Sequence, residues 1–292
     1  MKLNSTLDAK PLKVLVDNGA VSAASFLIPA QRAQELKWGD QAAHLAIAGF
    51  VRTPIAKDAE QQAEKDALFT IGRLARAGRV SLFTYVELSA EQWRGSLRRE
   101  PFVNAFAGHK ANQCHAPIER TKFRAGLGFD EWMAKGGKKD RKQDRASNDL
   151  GQIPFLSWLA SLSDAHTNAL MGIAAKLRLT EFEVDSLRDL GWFQALAKEL
   201  GSQENLPDCF HIWTARRNNI PVFLTLEKTL PRRIEQIQNR RQQALEIDVA
   251  VLRPSALMLR LGITELDTVP LEPERFYSVG EVEEINRKLL ET

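Results

Sequence analysis

Four acidic residues stand at or near the ends of short apolar segments, where side chains can do chemistry; they are Asp17, Glu87, Asp208 and Glu227. Carboxylates gathered at one place repel one another unless cations neutralise them. Ligand sets made only of oxygen suit hard ions such as Mg²⁺ or Mn²⁺, which keep several waters and bridge to substrate phosphates. The acids are therefore candidate ligands of a divalent-metal site.

Each of these acids also has a plain structural explanation. Carboxylates are favoured at helix N-termini, where they cap backbone N–H groups and complement the helix dipole. All four acids lie near predicted helix starts. What separates the two explanations is where the surrounding elements place the side chains.

Short apolar runs predict buried strands at Leu12–Val16, Val80–Val86, Ile220–Leu224 and Ile247–Leu252. Continuous runs of this kind are typical of parallel sheets covered on both faces. The stretches between them have helical spacing, at Gln31–Ile47, Asp58–Ala77, Leu88–Leu97, Asp164–Leu177, Thr180–Leu200 and Asp208–Asn218. Thr180 and Glu183 have the spacing of a capping box. The sequence thus predicts an α/β fold with a parallel central sheet flanked by helices.

Three of the acids should meet on this scaffold. Asp17 closes the first predicted strand, Glu87 closes the second, and Glu227 comes shortly after the third. Side chains just beyond the carboxyl ends of parallel strands converge on a common crevice. Asp208 opens the helix that leads into the third strand, and Thr225 lies on that strand just before Glu227.

Charge is unevenly distributed over the 292 residues, whose net charge is +3. Residues 265–292 hold eight acids against three bases, so the preceding residues carry about +8. The densest basic run is a candidate contact for nucleic-acid phosphates and consists of Lys135, Lys138, Lys139, Arg141, Lys142 and Arg145. The alternative is a solvated loop, because the run also contains Gly136 and Gly137.

The chain organisation predicted from these patterns is one main domain over residues 10–262. Gly- and Pro-rich polar sequence at about 100–155 predicts an insertion, and residues 155–200 add extra helices. Residues 263–292 read as an acidic C-terminal extension ending in a short helix, Val279–Leu290. Two cysteines, no signal-peptide pattern and no long apolar stretch predict a cytoplasmic protein without a membrane segment.

Four segments resemble, in order, the acidic motifs of PIN-domain ribonucleases; they are Val14–Val21, Phe83–Leu88, Pro207–Ala215 and Ile220–Lys228. The closing segment Val251–Gly262 looks like that family's final strand, proline and helix. This resemblance implies a PIN-like fold over residues 10–262. The family usually places Thr and then Asn after its first Asp, whereas Asn18 and Gly19 follow here, and Glu227 stands where Asp is commoner.

The function implied by the resemblance is that of a metal-dependent endoribonuclease leaving 5′-phosphate and 3′-hydroxyl ends. Asp17 and Asp208 would be the central Mg²⁺ or Mn²⁺ ligands, and Glu87 and Glu227 would complete the shell directly or through water. Thr225 would orient a carboxylate or a water. Single-stranded RNA is the expected substrate, a toxin-like role would add a restraining protein partner, and the chain could form a homodimer.

Three alternatives stay open. The first is a catalytically weak RNA-binding or scaffolding protein on the same frame, which Asn18, Gly19 and Glu227 favour slightly. The second is a PIN-like DNA nuclease, since no groove-reading helix separates DNA from RNA. The third is a zinc site from Cys114-His115 and Cys209-Phe-His211, which the spacing disfavours because it lacks the CxxC pattern of structural zinc sites.

Overall fold

The computed structural model describes residues 10–39, 41–56, 58–89, 105–106, 109–123, 141–240 and 245–291. The first elements along the chain are β1 (Leu12–Val16), α1 (Asn18–Ala23), β2 (Leu27–Trp38), β3 (Gln41–Arg52), α2 (Ala59–Arg76), β4 (Val80–Thr84) and β5 (Asn112–Gln113). Helices follow at α3 (Arg141–Ser161), α4 (Asp164–Gly172), α5 (Glu181–Arg188), α6 (Leu190–Leu200) and α7 (Leu206–Arg217). The last elements are β6 (Val222–Leu224), α8 (Thr229–Gln238), β7 (Ala250–Leu252), α9 (Pro254–Arg260), β8 (Phe276–Ser278) and α10 (Val279–Glu291).

The chain forms two compact units. The first contains residues 1–113, 222–231 and 251–292, and the second contains residues 114–221 and 232–250. Most of the predicted helix Leu88–Leu97 and much of the insertion predicted at about 100–155 lie outside the described residues. No helix in the described ranges has the length and apolar composition needed to span a membrane.

A five-stranded sheet organises the first unit, in the order β5-β4-β1-β6-β7. β1 pairs in parallel with β4 on one side and with β6 on the other, and β4 pairs in parallel with β5. The predicted α/β class with a parallel central sheet is therefore confirmed. β1 has the bounds predicted from its apolar run, whereas β4 ends at Thr84 and the chain is helical at residues 86–89.

The core of the first unit lies between this sheet and the helices packed on it. β1 contributes Val14 and Val16, and α2 contributes its buried face, which includes Leu68, Ile71 and Leu74. These helical residues recur every three positions, the spacing that places side chains on one face of a helix. Asp58 caps α2 by accepting a hydrogen bond from the Glu60 backbone N–H (3.0 Å), as the sequence predicts for a helix starting there.

The prediction of a helix at Gln31–Ile47 is wrong. This region is an antiparallel hairpin of β2 and β3, paired in register from Leu27↔Arg52 to Trp38↔Gln41. Gly39, with φ of +60°, supplies the left-handed turn that the hairpin needs. The alanine-rich sequence of β3 has high helix propensity, but pairing across the Gly39 turn overrides this weak preference.

The acidic C-terminal segment is part of the first unit's core. It buries Val269, Leu271, Tyr277 and Val282 there. Its β8 adds to β3 as the third strand of a second sheet, β2-β3-β8, and α10 follows directly with nearly the bounds predicted. The acids of this segment lie mainly outside the core, where some pair with bases, as Asp267 does with Arg73 (2.7 Å).

The second unit is helical in most of its described residues. Phe193 of α6 stacks on Trp213 of α7 with ring centroids 5.2 Å apart, and Trp213 Nε1 donates to Asp189 Oδ2 (3.2 Å). The predicted helix Thr180–Leu200 is divided at Asp189 into α5 and α6. The capping box of Thr180 and Glu183 is confirmed at the start of α5.

Gly72, in the C-terminal half of α2, allows the segment at Ala105 to lie against the helix. A Cβ at position 72 would stand 1.8 Å from the Ala105 carbonyl oxygen. That carbonyl also accepts a hydrogen bond from Arg76 Nη1 (2.9 Å), so it is held in place. We predict that Gly72→Ala destabilises the protein by about 1–3 kcal/mol because overpacking outweighs the gain in helix propensity. A thermal melt followed by circular dichroism measures this.

Gly191 in α6 is the matched control for this prediction. It is also helical, but a Cβ there would meet nothing within 4 Å. Gly191→Ala should leave the melting temperature unchanged or raise it slightly. A Gly72→Ala protein that melts at or above the wild-type temperature would contradict the role given to Gly72.

Candidate metal centre

The predicted site residues of the first unit lie near the carboxyl ends of strands in the parallel sheet. After β1 the chain builds β4 and β5 on one side of it, and later returns to build β6 and β7 on the other. The strand order therefore reverses between β1 and β6. In open α/β sheets, ligands bind in the crevice outside the carboxyl ends of the strands at such a point.

Asp17 lies at this point. Its backbone N–H donates to the Leu224 carbonyl oxygen of β6 (2.9 Å), which continues the β1–β6 pairing by one residue. Asp17 is also the N-cap residue of α1, yet its side chain makes no capping hydrogen bond. Its carboxylate Oδ2 instead accepts a hydrogen bond from Thr225 Oγ1 (3.2 Å). Capping therefore does not account for the direction of this side chain.

Thr225 connects three strand ends. Its backbone N–H donates to the Leu252 carbonyl oxygen at the end of β7 (3.0 Å), and its hydroxyl donates to Asp17. The same hydroxyl oxygen accepts from the Glu227 backbone N–H (3.1 Å). Thr225 is only 2% exposed, so these bonds are shielded from competing water. Its side chain holds Asp17 in one orientation and shapes the turn that carries Glu227.

Glu87 lies on the other side of Asp17, in the helical residues 86–89 that follow β4. It is a buried acid, 7% exposed. Asn18 Nδ2 donates to the Leu88 carbonyl oxygen (2.8 Å), which ties the turn after β1 to the turn after β4. Gly19 leaves room beside Asp17, since a Cβ there would stand 3.1 Å from Asp17 Oδ2. Asn18 and Gly19 thus have local roles that the sequence alone did not reveal.

Glu227 is the most exposed of the predicted acids in this unit. Its Oε1 accepts a hydrogen bond from Thr229 Oγ1 (2.6 Å), which lies at the start of α8. The carboxylate therefore has a local hydrogen-bond partner, and its long side chain extends from the same turn that Thr225 organises.

Asp208 belongs to the second unit, in the first turn of α7. Its neighbours Cys209 and His211 are buried, as predicted for a small hydrophobe and a ring of that helix. Burial, and then the charge of Asp208, raises the pKa of Cys209 to about 12, and burial raises the pKa of Cys114 to about 12. Both cysteines therefore stay protonated thiols at neutral pH in the metal-free protein.

A charged network beside the strand ends was not predicted from the sequence. Lys228, after β6, lies 3.4 Å from Asp58 Oδ2 and 3.1 Å from Glu60 Oε2. Arg253, after β7, pairs with Glu60 and with Glu64 Oε1 (3.3 Å). Hydrogen bonds from Arg253 and then Lys228 lower the pKa of Glu60. The acids at the start of α2 are therefore neutralised by bases that follow two strands of the sheet.

Glu64 anchors this network in the protein interior. It is 3% exposed and accepts hydrogen bonds from the backbone N–H (2.9 Å) and the hydroxyl (2.7 Å) of Ser255 in α9. A buried carboxylate needs such partners, since desolvation otherwise disfavours its charge. The network joins α2 to α9, so its evident role is structural.

Among the described residues, no group of three or more His, Cys, Asp or Glu side chains is placed so that it could hold a metal ion. Asp17 and Glu87 follow neighbouring strands, and Glu227 follows the strand on the far side of Asp17, so the donors of the first unit are all oxygens at one sheet edge. That donor chemistry fits Mg²⁺ or Mn²⁺. The gathering of all the predicted acids around one ion stays a prediction.

No protein-family model, curated protein or solved structure matched this chain.

The basic run predicted to meet phosphates is described only in part. Lys135, Lys138 and Lys139 lie outside the described residues. Arg141, Lys142 and Arg145 fall on the first turns of α3, so this half of the run is helical in its backbone. The loop predicted by the alternative is therefore wrong for these first turns, and contact with nucleic acid stays a prediction for the whole run.

The contacts of Thr225 generate a prediction that needs no substrate. Thr225→Val keeps the side-chain shape but removes the hydroxyl, so the Glu227 N–H loses its acceptor and Asp17 loses a donor. We expect a loss of about 1–3 kcal/mol in the free energy of unfolding, measured by urea denaturation. Thr225→Ser retains the hydroxyl and should recover most of this loss.

Thr229→Val serves as the matched control, because Thr229 is exposed and bonds only the solvent-facing Glu227 carboxylate among its described partners. Its effect should stay within about 0.5 kcal/mol. Equal stability of Thr225→Val and wild type would show that the hydroxyl does not organise the strand ends.

Proposed function

We propose that this chain is a metal-dependent endoribonuclease on a PIN-like fold. The observation that supports this most is the placement of Asp17, with the Thr225 hydroxyl on its carboxylate, where the strand order reverses beside β1. An acid at that position faces the crevice in which open parallel sheets bind their ligands. The proposed reaction is phosphodiester hydrolysis. It rests on the order of the acidic motifs along the chain, which resembles that of PIN-domain ribonucleases.

Each candidate site residue of the first unit has a role in this proposal. Asp17 and Glu87 supply carboxylate oxygens from the ends of neighbouring strands, and Thr225 keeps Asp17 in one orientation. Glu227 has the reach to bind directly or through a water from the far side. A bound Mg²⁺ or Mn²⁺ would supply a water of lowered pKa and would neutralise charge at the departing oxygen. Asp208 is included on the strength of its motif alone.

RNA, single-stranded rather than duplex, is the proposed substrate. The residues before 265 carry about +8, which favours a polyanion, and the basic run from Lys135 to Arg145 is its proposed phosphate contact. A toxin-like use would add a protein partner that restrains cleavage. A single-stranded DNA substrate is the competing outcome of the same assay.

A catalytically weak RNA-binding protein on the same frame is the second candidate. Two observations favour it: the Glu227 carboxylate is hydrogen-bonded to Thr229, and no metal-holding group of three acids stands among the described residues. Such a protein would bind RNA and show no metal-dependent cleavage, so one experiment separates the two candidates.

We predict that Asp17→Asn lowers Mn²⁺-dependent cleavage of single-stranded RNA at least about a hundredfold. Outer partners of metal ligands already cost about tenfold to a hundredfold when mutated, and a direct ligand should cost more. Asp208→Asn, assayed separately, should have an effect of the same order if its motif assignment is right. The measurement is the initial rate on a labelled oligonucleotide, with EDTA as the metal-free reference and single-stranded DNA in parallel.

Asp185→Asn is the matched control, since Asp185 is an exposed acid of α5 whose described partner is Arg188, and it should keep the wild-type rate. Binding of RNA without cleavage by the wild type, with or without Mn²⁺, would replace the nuclease by the second candidate. Cleavage at wild-type rates by both Asp17→Asn and Asp208→Asn would reject the site itself.

The effect of Mn²⁺ on the melting temperature also tests metal binding. An ion that binds only the folded protein at a hundredfold excess over its Kd adds about 2.7 kcal/mol, so Mn²⁺ should raise the melting temperature. Asp17→Asn should lose most of this gain, yet melt no lower than wild type in EDTA, because it removes a negative charge beside other acids. An equal Mn²⁺ increment in the two proteins would show that Asp17 is not a ligand.

A further inference from the structure

A cluster of three aromatic rings lies at the surface of the second unit, and we call it the surface aromatic cluster. It consists of Phe123, Phe155 and Trp158, whose ring centroids are 5.4–6.0 Å apart. Each of the three residues is only partly buried. Phe193 and Trp213 of the same unit, by contrast, are both 0% exposed and belong to its core. The surface aromatic cluster therefore has the composition of a core but keeps part of its surface accessible to solvent.

Helix α3 holds two of these rings in place. Leu156 and Leu159 of this helix are buried and fix it against the core of the unit. Phe155 and Trp158 are three positions apart, so they lie on the same side of the helix, next to its buried face. Phe123 is the last residue of a short helical turn and completes the cluster. The rings are thus carried by helical elements, which gives them a defined arrangement.

Trp158 differs in its indole N–H from the other tryptophans described in this unit. Trp192 Nε1 donates to the Glu246 carbonyl oxygen (2.9 Å). Trp213 Nε1 donates to Asp189 Oδ2 (3.2 Å). Within the described ranges, the indole N–H of Trp158 has no acceptor. Since a tryptophan N–H usually finds an acceptor when it is buried, the edge of the Trp158 ring is available to a partner from outside the chain.

The first turns of α3 bring positive charge to the same helix. They carry Arg141, Lys142 and Arg145 against one acid, Asp144. At 1.5 Å per residue, Trp158 follows Arg145 by about 20 Å along the helix. Basic residues attract any nucleic acid through its phosphates, whereas aromatic rings add a contact that only unpaired bases can use. Helix α3 thus combines the two features of a site for single-stranded nucleic acid.

We propose that the surface aromatic cluster stacks the bases of single-stranded RNA, with Trp158 as its main ring. Its indole offers a large aromatic face, and its N–H can donate to an oxygen of the base or sugar. Phe123 and Phe155 extend the stacking surface beyond one base. The choice of RNA rests on the proposed function, but this site lies in the second unit and is a binding site without a catalytic step.

The wild-type protein provides the first test. In EDTA, which prevents metal-dependent cleavage, it is titrated with two labelled single-stranded oligonucleotides of about ten nucleotides, a length that single-strand-binding sites cover. One is oligouridine, and the other has the same number of phosphates but no bases. Stacking on an aromatic side chain strengthens binding about 5-fold to 150-fold per base. Fluorescence anisotropy should therefore show at least about fivefold tighter binding of the oligouridine.

A substitution of Trp158 assigns this preference to the cluster. Trp158→Leu keeps an apolar side chain but removes the ring. It should weaken binding of the oligouridine at least about fivefold and leave binding of the abasic oligonucleotide unchanged, because the phosphate contacts are untouched. Trp158→Phe retains a ring and should recover part of the loss. Trp192→Leu is the matched control, since the Arg216 guanidinium already covers that partly buried ring (5.0 Å), and it should bind both oligonucleotides as wild type does.

Cross-linking of the wild type locates the stacked base even where a Trp158 variant fails to fold. An oligouridine that carries one iodouracil is irradiated in the complex, and the attached residue is identified by mass spectrometry. Because the base must lie against an aromatic ring to react with it, we expect attachment to Trp158, Phe155 or Phe123.

Three results would overturn the proposal. They are equal affinity of wild type for the two oligonucleotides, a folded Trp158→Leu protein that weakens both alike or neither, and cross-links only to residues outside the cluster. Circular dichroism and thermal melts establish that each variant is folded. Base-dependent binding through Trp158 without Mn²⁺-dependent cleavage supports this site and rejects the nuclease, whereas cleavage without base-dependent binding does the reverse.

Discussion

The parallel pairing of β1 with both β4 and β6 is the constraint on which the candidate site depends. β1 is fully buried over Val14 and Leu15, and its two neighbours fix where it ends. The backbone of a residue just beyond a central strand is restricted, because it still takes part in the hydrogen bonds of the sheet. The Asp17 N–H, for example, donates to the Leu224 carbonyl oxygen. The acid at this position is therefore held by the sheet itself, and the Thr225 hydroxyl selects its side-chain orientation.

The acids at the sheet edge fall into two groups according to the contacts they make. The first group contains Asp58, which caps α2, and Glu60 and Glu64 within it. These acids pair with Lys228 and Arg253, which helps to hold α2 against the strand ends. The second group contains Asp17 and Glu227, which accept hydrogen bonds from the hydroxyls of Thr225 and Thr229.

The sequence was informative where one physical cause dominates. β1 was predictable in full because a buried parallel strand reads as an unbroken apolar run, and Asp17 was placed by its position after that run. The hairpin was not predictable, because alanine-rich β3 has the composition of a helix and only the Gly39 turn indicates a hairpin. The network of Lys228 and Arg253 could not be predicted from the sequence, because it joins residues nearly two hundred positions apart on three separate elements.

The C-terminal segment holds the base of the hairpin in place, which its acidic composition does not indicate. Its acids suggest a solvated extension, but Tyr277 and Val282 are buried in the first unit's core, and β8 pairs with the base of β3. Gly49 makes this possible, because a Cβ there would stand 2.5 Å from the Tyr277 carbonyl oxygen and 2.3 Å from the Phe276 ring. The base of the hairpin is thus fixed to the core from both strands.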